Sequence, residues 1–74
     1  MTELIASEQQ LSPESIRSIR HRLGLSQAAF AVLLNERVPG LRTHQVTVAR
    51  WEAGAMRPSS VSAYVIRDLM ARTP

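Results

Sequence analysis

The sequence predicts a small all-α fold of four to five helices, built as one bundle. Apolar residues recur at helical spacing along most of the chain, and capping residues and helix stops separate these stretches. A length of 74 residues, 45% of them hydrophobic, suffices for one small core and no second domain. The chain has no cysteine, so neither a disulfide framework nor a cysteine-based zinc site can add stability.

The first two helices are predicted from their ends. Ser12 can cap the first helix, Pro13 suits its first turn, and Gly24 ends it. Ser26 caps the second helix, which should end near residue 35 or 36. The apolar residues expected to face the core are Ile16, Ile19, Leu23, Phe30, Ala31, Leu33 and Leu34.

Two further helices follow a break in the pattern at residues 38–40, Val-Pro-Gly. Thr43 is the expected cap of a third helix over residues 43–53, with Gly54 as its stop. Pro58 and a following serine open a fourth helix. Its apolar stripe comprises Val61, Tyr64, Val65, Leu69 and Met70.

The charge of the chain is unevenly distributed, although the net charge is only +3. Residues 1–16 contain three Glu and no basic residue, whereas residues 17–74 contain nine Arg against three acidic residues. This excess of positive charge favours a nucleic-acid partner. The choice of Arg over Lys suits phosphate and guanine, but a high-GC genome explains it equally well.

Other protein classes fit the sequence poorly. No apolar run approaches the length needed to span a bilayer, and the N-terminus lacks the charge pattern of a signal peptide, so we expect a cytoplasmic protein with no membrane association. No phosphate-binding glycine loop, nucleophile elbow or metal-ligand spacing is present. We therefore expect a binding protein without enzymatic activity, cofactor or metal.

Two motifs stand in order along the chain: Leu-Gly-Leu-Ser-Gln at residues 23–27, and Trp-Glu-Ala-Gly at residues 51–54 followed by Arg-Pro at 57–58. In this the chain resembles the repressor/Cro-type helix-turn-helix family of phage repressors and antitoxin-like regulators. The resemblance implies a repressor-like bundle over residues 12–74, preceded by a flexible acidic arm at residues 1–11. The chain departs from the family between Leu34 and Thr43, where the turn is elongated.

The resemblance also implies roles for individual residues in the third helix and around it. Gln45, Val46, Thr47 and Arg50 would read base edges in the major groove of double-stranded DNA. These residue types fit that role, because Gln can pair with adenine, Arg with guanine, and methyl groups with thymine. An ordinary solvated helix face is the alternative, although such a face more often carries Glu and Lys.

Phosphate contacts are expected next to that helix. By resemblance, Gln27 would bind a phosphate at the N-terminus of the second helix, and Arg57 would contact the DNA backbone. Arg42, Thr43 and His44 are further candidates. For Arg42 the sequence favours a solvated loop charge over a phosphate contact, and for His44 a surface position is the alternative.

Arg20 falls between two apolar residues on the face of the first helix that should be buried. A buried guanidinium needs a carboxylate, and Glu52, next to Trp51, is the natural candidate. The corresponding residues pair in several members of the family. We therefore interpret Arg20 and Glu52 as a structural ion pair.

Two functional hypotheses follow. The first is a transcriptional regulator, a repressor that binds an operator with inverted repeats as a homodimer. Val65, Leu69 and Met70 would supply the symmetric contact. The alternative is an antitoxin or interaction module whose main partner is another protein, such as a toxin or a second regulator.

Overall fold

A computed structural model describes residues 11–74, and this part of the chain folds into four α-helices with no strand. The helices are α1 (Pro13–Arg22), α2 (Gln27–Arg37), α3 (Gln45–Glu52) and α4 (Ser60–Arg72). The predicted all-α class is confirmed. None of these helices has the length and apolarity required to cross a membrane. The predicted arm lies outside the described residues except for Leu11, which is half-buried and packs against the core.

Serine caps begin three of the four helices. The hydroxyl oxygens of Ser12, Ser26 and Ser59 each accept a hydrogen bond from the backbone N–H three residues later, at 3.0 to 3.2 Å. These bonds satisfy N–H groups that have no partner within the helix, so serine at these positions sets where each helix starts.

The start of α3 differs from the prediction. The expected cap, Thr43, is 7% exposed and precedes the helix. Its N–H donates to Asn35 Oδ1 at 2.9 Å, and its carbonyl oxygen accepts from Asn35 Nδ2 at 2.8 Å. Because Asn35 engages both backbone groups, Thr43 stays in the loop. His44 takes the cap position without a side-chain hydrogen bond.

The connection between α2 and α3 spans residues 38–44 rather than the expected 36–42, because α2 continues through Arg37. It opens with a tight turn in which the N–H of Leu41 donates to the carbonyl oxygen of Val38 at 3.0 Å. Gly40 has a φ of 92°, which a type II turn requires at this position and which glycine adopts without steric cost. Leu41 then packs against the core. The long connection is therefore anchored at both ends.

The core is formed by apolar residues of all four helices. Its buried members are Ile16, Ile19, Phe30, Ala31, Leu34, Val48, Trp51, Val65, Ile66 and Leu69. Within this bundle, α3 packs against both α1 and α2. The outer face of α3 is thereby left on the surface, with its neighbours fixed on either side.

Helix α4 buries part of the predicted stripe, namely Val65 and Leu69, with Met70 packed against the core, but not Val61 and Tyr64. Its buried residues are Ser62, Val65, Ile66 and Leu69. Val61 and Tyr64 are instead 50% and 68% exposed. The hydroxyl of Ser62 can be buried because that of Ser59 donates to it at 3.0 Å. The expectation that Val65 and Leu69 supply a dimer contact is wrong, since both side chains are buried in the core. Met70 packs against the core and is only partly buried, and the homodimer itself stays a prediction.

Candidate nucleic-acid interface

The outer face of α3 carries few charges and small side chains. Val46, Arg50 and Ala53 are exposed, and Gln45 is exposed at the first turn. Val48 and Trp51 are buried on the opposite side, at 0% and 3% exposure. The burial pattern agrees with the predicted orientation of the helix. Arg50 is the only charged residue on this face, which therefore combines one cation with apolar methyl groups and an amide.

Gln45 is held from behind by a chain of hydrogen bonds. Its Nε2 donates to Gln27 Oε1 at 2.7 Å, and Gln27 Nε2 donates to Glu52 Oε1 at 3.2 Å. A carboxylate can only accept hydrogen bonds, so the amide nitrogen of Gln27 must face Glu52. The oxygen of Gln27 then faces Gln45. The carboxylate thus fixes the orientation of both amides in turn.

Glu52 also forms the ion pair with Arg20. Arg20 donates through Nε to Oε2 at 2.6 Å and through Nη2 to Oε1 at 2.9 Å. Its third nitrogen, Nη1, donates to the carbonyl oxygen of Leu25 at 2.9 Å. The side chains are 12% and 4% exposed. The structure therefore brings the two residues together in the buried, two-pronged geometry that matches a guanidinium to a carboxylate.

Opposing effects determine the charge state of this pair. Burial raises the pKa of Glu52. The hydrogen bonds from Arg20 and Gln27 and the charges of Arg20 and Arg17 lower it by more, so the pKa lies below its ordinary value. The hydrogen bond to Glu52 raises the pKa of Arg20, against burial, and the negative charge of Glu52 adds to this increase. Both groups are charged at neutral pH.

Two supporting residues were not among the site residues predicted from the sequence. Arg17, 48% exposed, donates through Nη2 to the backbone carbonyl of Glu52 at 2.9 Å, and its Nε lies 3.7 Å from Glu52 Oε1. Its spacing from Arg20, about one turn along α1, is the signal that could have identified it. Asn35 is the second, through its bonds to Thr43. No local pattern marks that contact, because it depends on the path of the loop.

The residues expected to contact phosphate lie in different surroundings. Gln27 is half-buried in the hydrogen-bond chain, and His44 is exposed at the start of α3. Arg42 and Arg57 are both exposed and line a common cleft beside α3. Thr43 presents little surface to a ligand, so we assign it to holding the loop.

Metal ligands do not cluster in the described part of the chain. No three His, Cys, Asp or Glu side chains of residues 11–74 are grouped so that they could hold a metal ion. Comparison of the chain with protein-family models, with curated proteins and with solved structures gives no match. We therefore infer the function of the chain from the geometry of this surface.

Proposed function

We propose that the chain is a sequence-specific regulator of transcription, a repressor that inserts α3 into the major groove of double-stranded DNA. In this proposal α2, the loop and α3 form a helix-turn-helix of the repressor/Cro type with an elongated turn. The elongated part, residues 38–44, is folded back on Asn35 and the core. The added residues therefore leave the outer face of α3 uncovered.

The observation that carries this proposal is the outer face of α3. The major groove is about 12 Å wide and admits one α-helix, provided that no bulky side chain holds it away from the bases. Val46, Ala53 and the half-buried Ala49 satisfy this condition. Arg50 reaches beyond them and can pair with guanine through two parallel hydrogen bonds.

Gln45 has a defined role in this account. One of its two amide N–H groups is bonded to Gln27, which leaves the other N–H and Oε1 for a base. Adenine offers a matching acceptor, N7, and donor, N6, in the major groove. We therefore assign Gln45 to adenine. Val46 and the methyl group of Thr47 add contacts to thymine methyl groups.

The backbone of the DNA would be held from both sides of α3. The first N–H groups of α2, at Gln27 and Ala28, lie at the positive end of an 11-residue helix and suit a phosphate. Arg57 offers a charge on the other side. Such a small module makes few phosphate contacts, so tight binding calls for two copies on one site.

A protein-binding role is the second candidate, and one observation favours it. Val61 and Tyr64 lie about one turn apart on the exposed face of α4, at 50% and 68% exposure. An exposed apolar pair of this kind suits either a second copy of the chain or another protein, such as a toxin. Both candidates can hold together, since the pair lies on a different helix from the face assigned to DNA.

Selection of bound duplexes from a random DNA pool tests the proposal directly. We expect one enriched motif with two inverted half-sites, whose centres lie about one helical turn apart, and with adenine and guanine at defined positions in each half. Binding should weaken steeply as salt is added. Recovery of no motif, together with a stoichiometric protein complex that DNA does not affect, would favour the interaction module instead.

A further inference from the structure

We propose that Arg42 and Arg57 form one cleft that binds a single backbone phosphate of the DNA. This inference rests on the proposed function and extends it, because it assigns a specific phosphodiester contact to the elongated loop. The ligand is a phosphate oxygen of the DNA strand that borders α3 on its Thr47 side.

The cleft has a volume of about 270 Å³ and lies between the loop, α3 and the start of α4. Arg42 comes from the loop, and Arg57 comes from the segment that follows α3. Thr47 and Ser59 add hydroxyl groups to its lining. Among the described residues no Asp or Glu lines this space, so its lining contains two arginines and no carboxylate to neutralise their charge. A phosphate oxygen is a suitable ligand for paired guanidinium groups.

Arg42 is set in place by its neighbours on both sides. Leu41 packs against the core, and Thr43 is held by two hydrogen bonds from Asn35. The backbone of Arg42 is therefore ordered before any ligand binds, and only its side chain must be immobilised. Preorganisation of this kind lowers the entropic cost of binding.

The cleft lies on the correct side of α3 for this role. At 3.6 residues per turn, Thr47 and Trp51 lie on one flank of the helix, and Gln45 and Glu52 lie on the other. A helix in the major groove has a DNA strand on each side. The start of α2 lies on the Gln45 flank, next to one strand. The cleft with its two arginines lies on the Thr47 flank, next to the other strand.

Neutralising single phosphates tests this assignment. In the selected duplex, each phosphate is replaced in turn by an uncharged methylphosphonate, and affinity is measured for the wild type, Arg42→Gln and Arg57→Gln. We expect one position in each half-site, on the Thr47 side, at which the wild type loses roughly ten-fold in affinity, the order of one charge-assisted contact. Each variant should bind the natural duplex more weakly and lose part of the sensitivity at that position, because the second arginine remains there. The double variant should lose this sensitivity entirely.

Arg37→Gln is the matched control, because Arg37 is exposed at the end of α2 and does not line the cleft. It should keep the full sensitivity at that position. If Arg42→Gln and Arg57→Gln reduced the sensitivity at two different phosphates, or at none, while the duplex still bound, the shared cleft would be wrong and the proposed function would stand. If the selection enriched no duplex, the proposed function would fail first.

The fluorescence of Trp51 distinguishes DNA from a free anion as the ligand of the cleft. It is the single tryptophan of the chain and lines the cleft, so its fluorescence reports on occupation. We expect the emission to change on addition of the duplex and to remain constant on addition of inorganic phosphate. A change with inorganic phosphate that persists in excess duplex would assign the cleft to a free anion and overturn the inference.

Discussion

The two flanks of α3 are built in opposite ways. On the Gln45 flank the polar groups are joined to one another, from Gln45 through Gln27 and the buried Glu52 to the half-buried Arg20. On the Thr47 flank, Arg42 and Arg57 are exposed around an open cleft. One flank is closed by internal hydrogen bonds, and the other leaves its charges to solvent.

The two flanks fix their polar side chains in different ways. Gln45 is positioned through side chains, so its amide orientation is settled within the protein. Arg42 is positioned through its backbone, by the anchoring of the residues on either side of it. The first arrangement suits recognition of a base edge, which needs one orientation. The second suits a phosphate, which accepts hydrogen bonds from several directions.

The largest effect on the free energy of unfolding is expected from removing the ion pair between Arg20 and Glu52. Arg20→Ala leaves the carboxylate of Glu52 buried without its main partner, which should lower the free energy of unfolding by about 3 to 5 kcal/mol. Urea denaturation measures this loss. Arg22→Ala is the control, since Arg22 is exposed and its bond to Pro74 is long, at 3.5 Å.

A double variant keeps that experiment interpretable if Arg20→Ala fails to fold. Arg20→Met with Glu52→Leu removes both charges and should recover most of the stability, because well-packed apolar side chains can replace a buried ion pair. If the double variant were no more stable than Arg20→Ala, the loss would not come from the unpaired carboxylate.

Acidification should lower the free energy of unfolding through the same ion pair, by a smaller amount. The pKa of Glu52 is lower in the folded chain than its ordinary value of 4.5. The stability that the ionised carboxylate contributes is therefore complete above that value and is lost as the pH falls through the folded-state pKa. Unfolding measured between about pH 6 and pH 2 should show this loss in the wild type and in Glu14→Gln, whose carboxylate is exposed. An equally steep loss in Glu52→Gln would contradict the assignment.

The open flank should be weakened by removing the anchor of its loop. Asn35→Ala deletes two hydrogen bonds to Thr43, each worth about 1 kcal/mol, so we expect a loss near 2 kcal/mol in unfolding free energy. The effect of Arg42→Gln on DNA affinity should also shrink in this background, because Arg42 is no longer placed. Glu36→Ala, at an exposed neighbouring position, should do neither. An unchanged Arg42 effect would show that the loop is held by other contacts.

The smallest effect is expected at the link between Gln27 and Gln45. Gln27→Ala should cost about 1 kcal/mol or less in stability, since Gln27 is half-buried. Its effect on DNA should be a loss of preference at the base that Gln45 reads, because Gln45 loses the acceptor that orients it. If Gln27 served only as a phosphate contact, as the family resemblance implied, binding to all sequences would weaken alike.

Much of this architecture could be predicted from the sequence, for identifiable reasons. Serine caps act locally, so three helix starts follow from residue type and spacing. The pair of Arg20 and Glu52 could be anticipated because a charge on a buried face requires a partner. The buried face of α4 could not be chosen by periodicity, since apolar residues surround much of that helix. The contact between Asn35 and Thr43 depends on how the loop folds back, which no local pattern specifies.

In the proposed function, the outer face of α3 reads bases. Its most direct test is the affinity of Arg50→Ala, Gln45→Ala and the control Arg72→Ala for the selected duplex and for every single base-pair substitution of it. Each of the first two variants should lose about 1 to 3 kcal/mol on the preferred duplex and become indifferent to one base pair, while Arg72→Ala, altered on the exposed end of α4, keeps the full profile. Retention of affinity and of every base preference by both Arg50→Ala and Gln45→Ala would contradict the account.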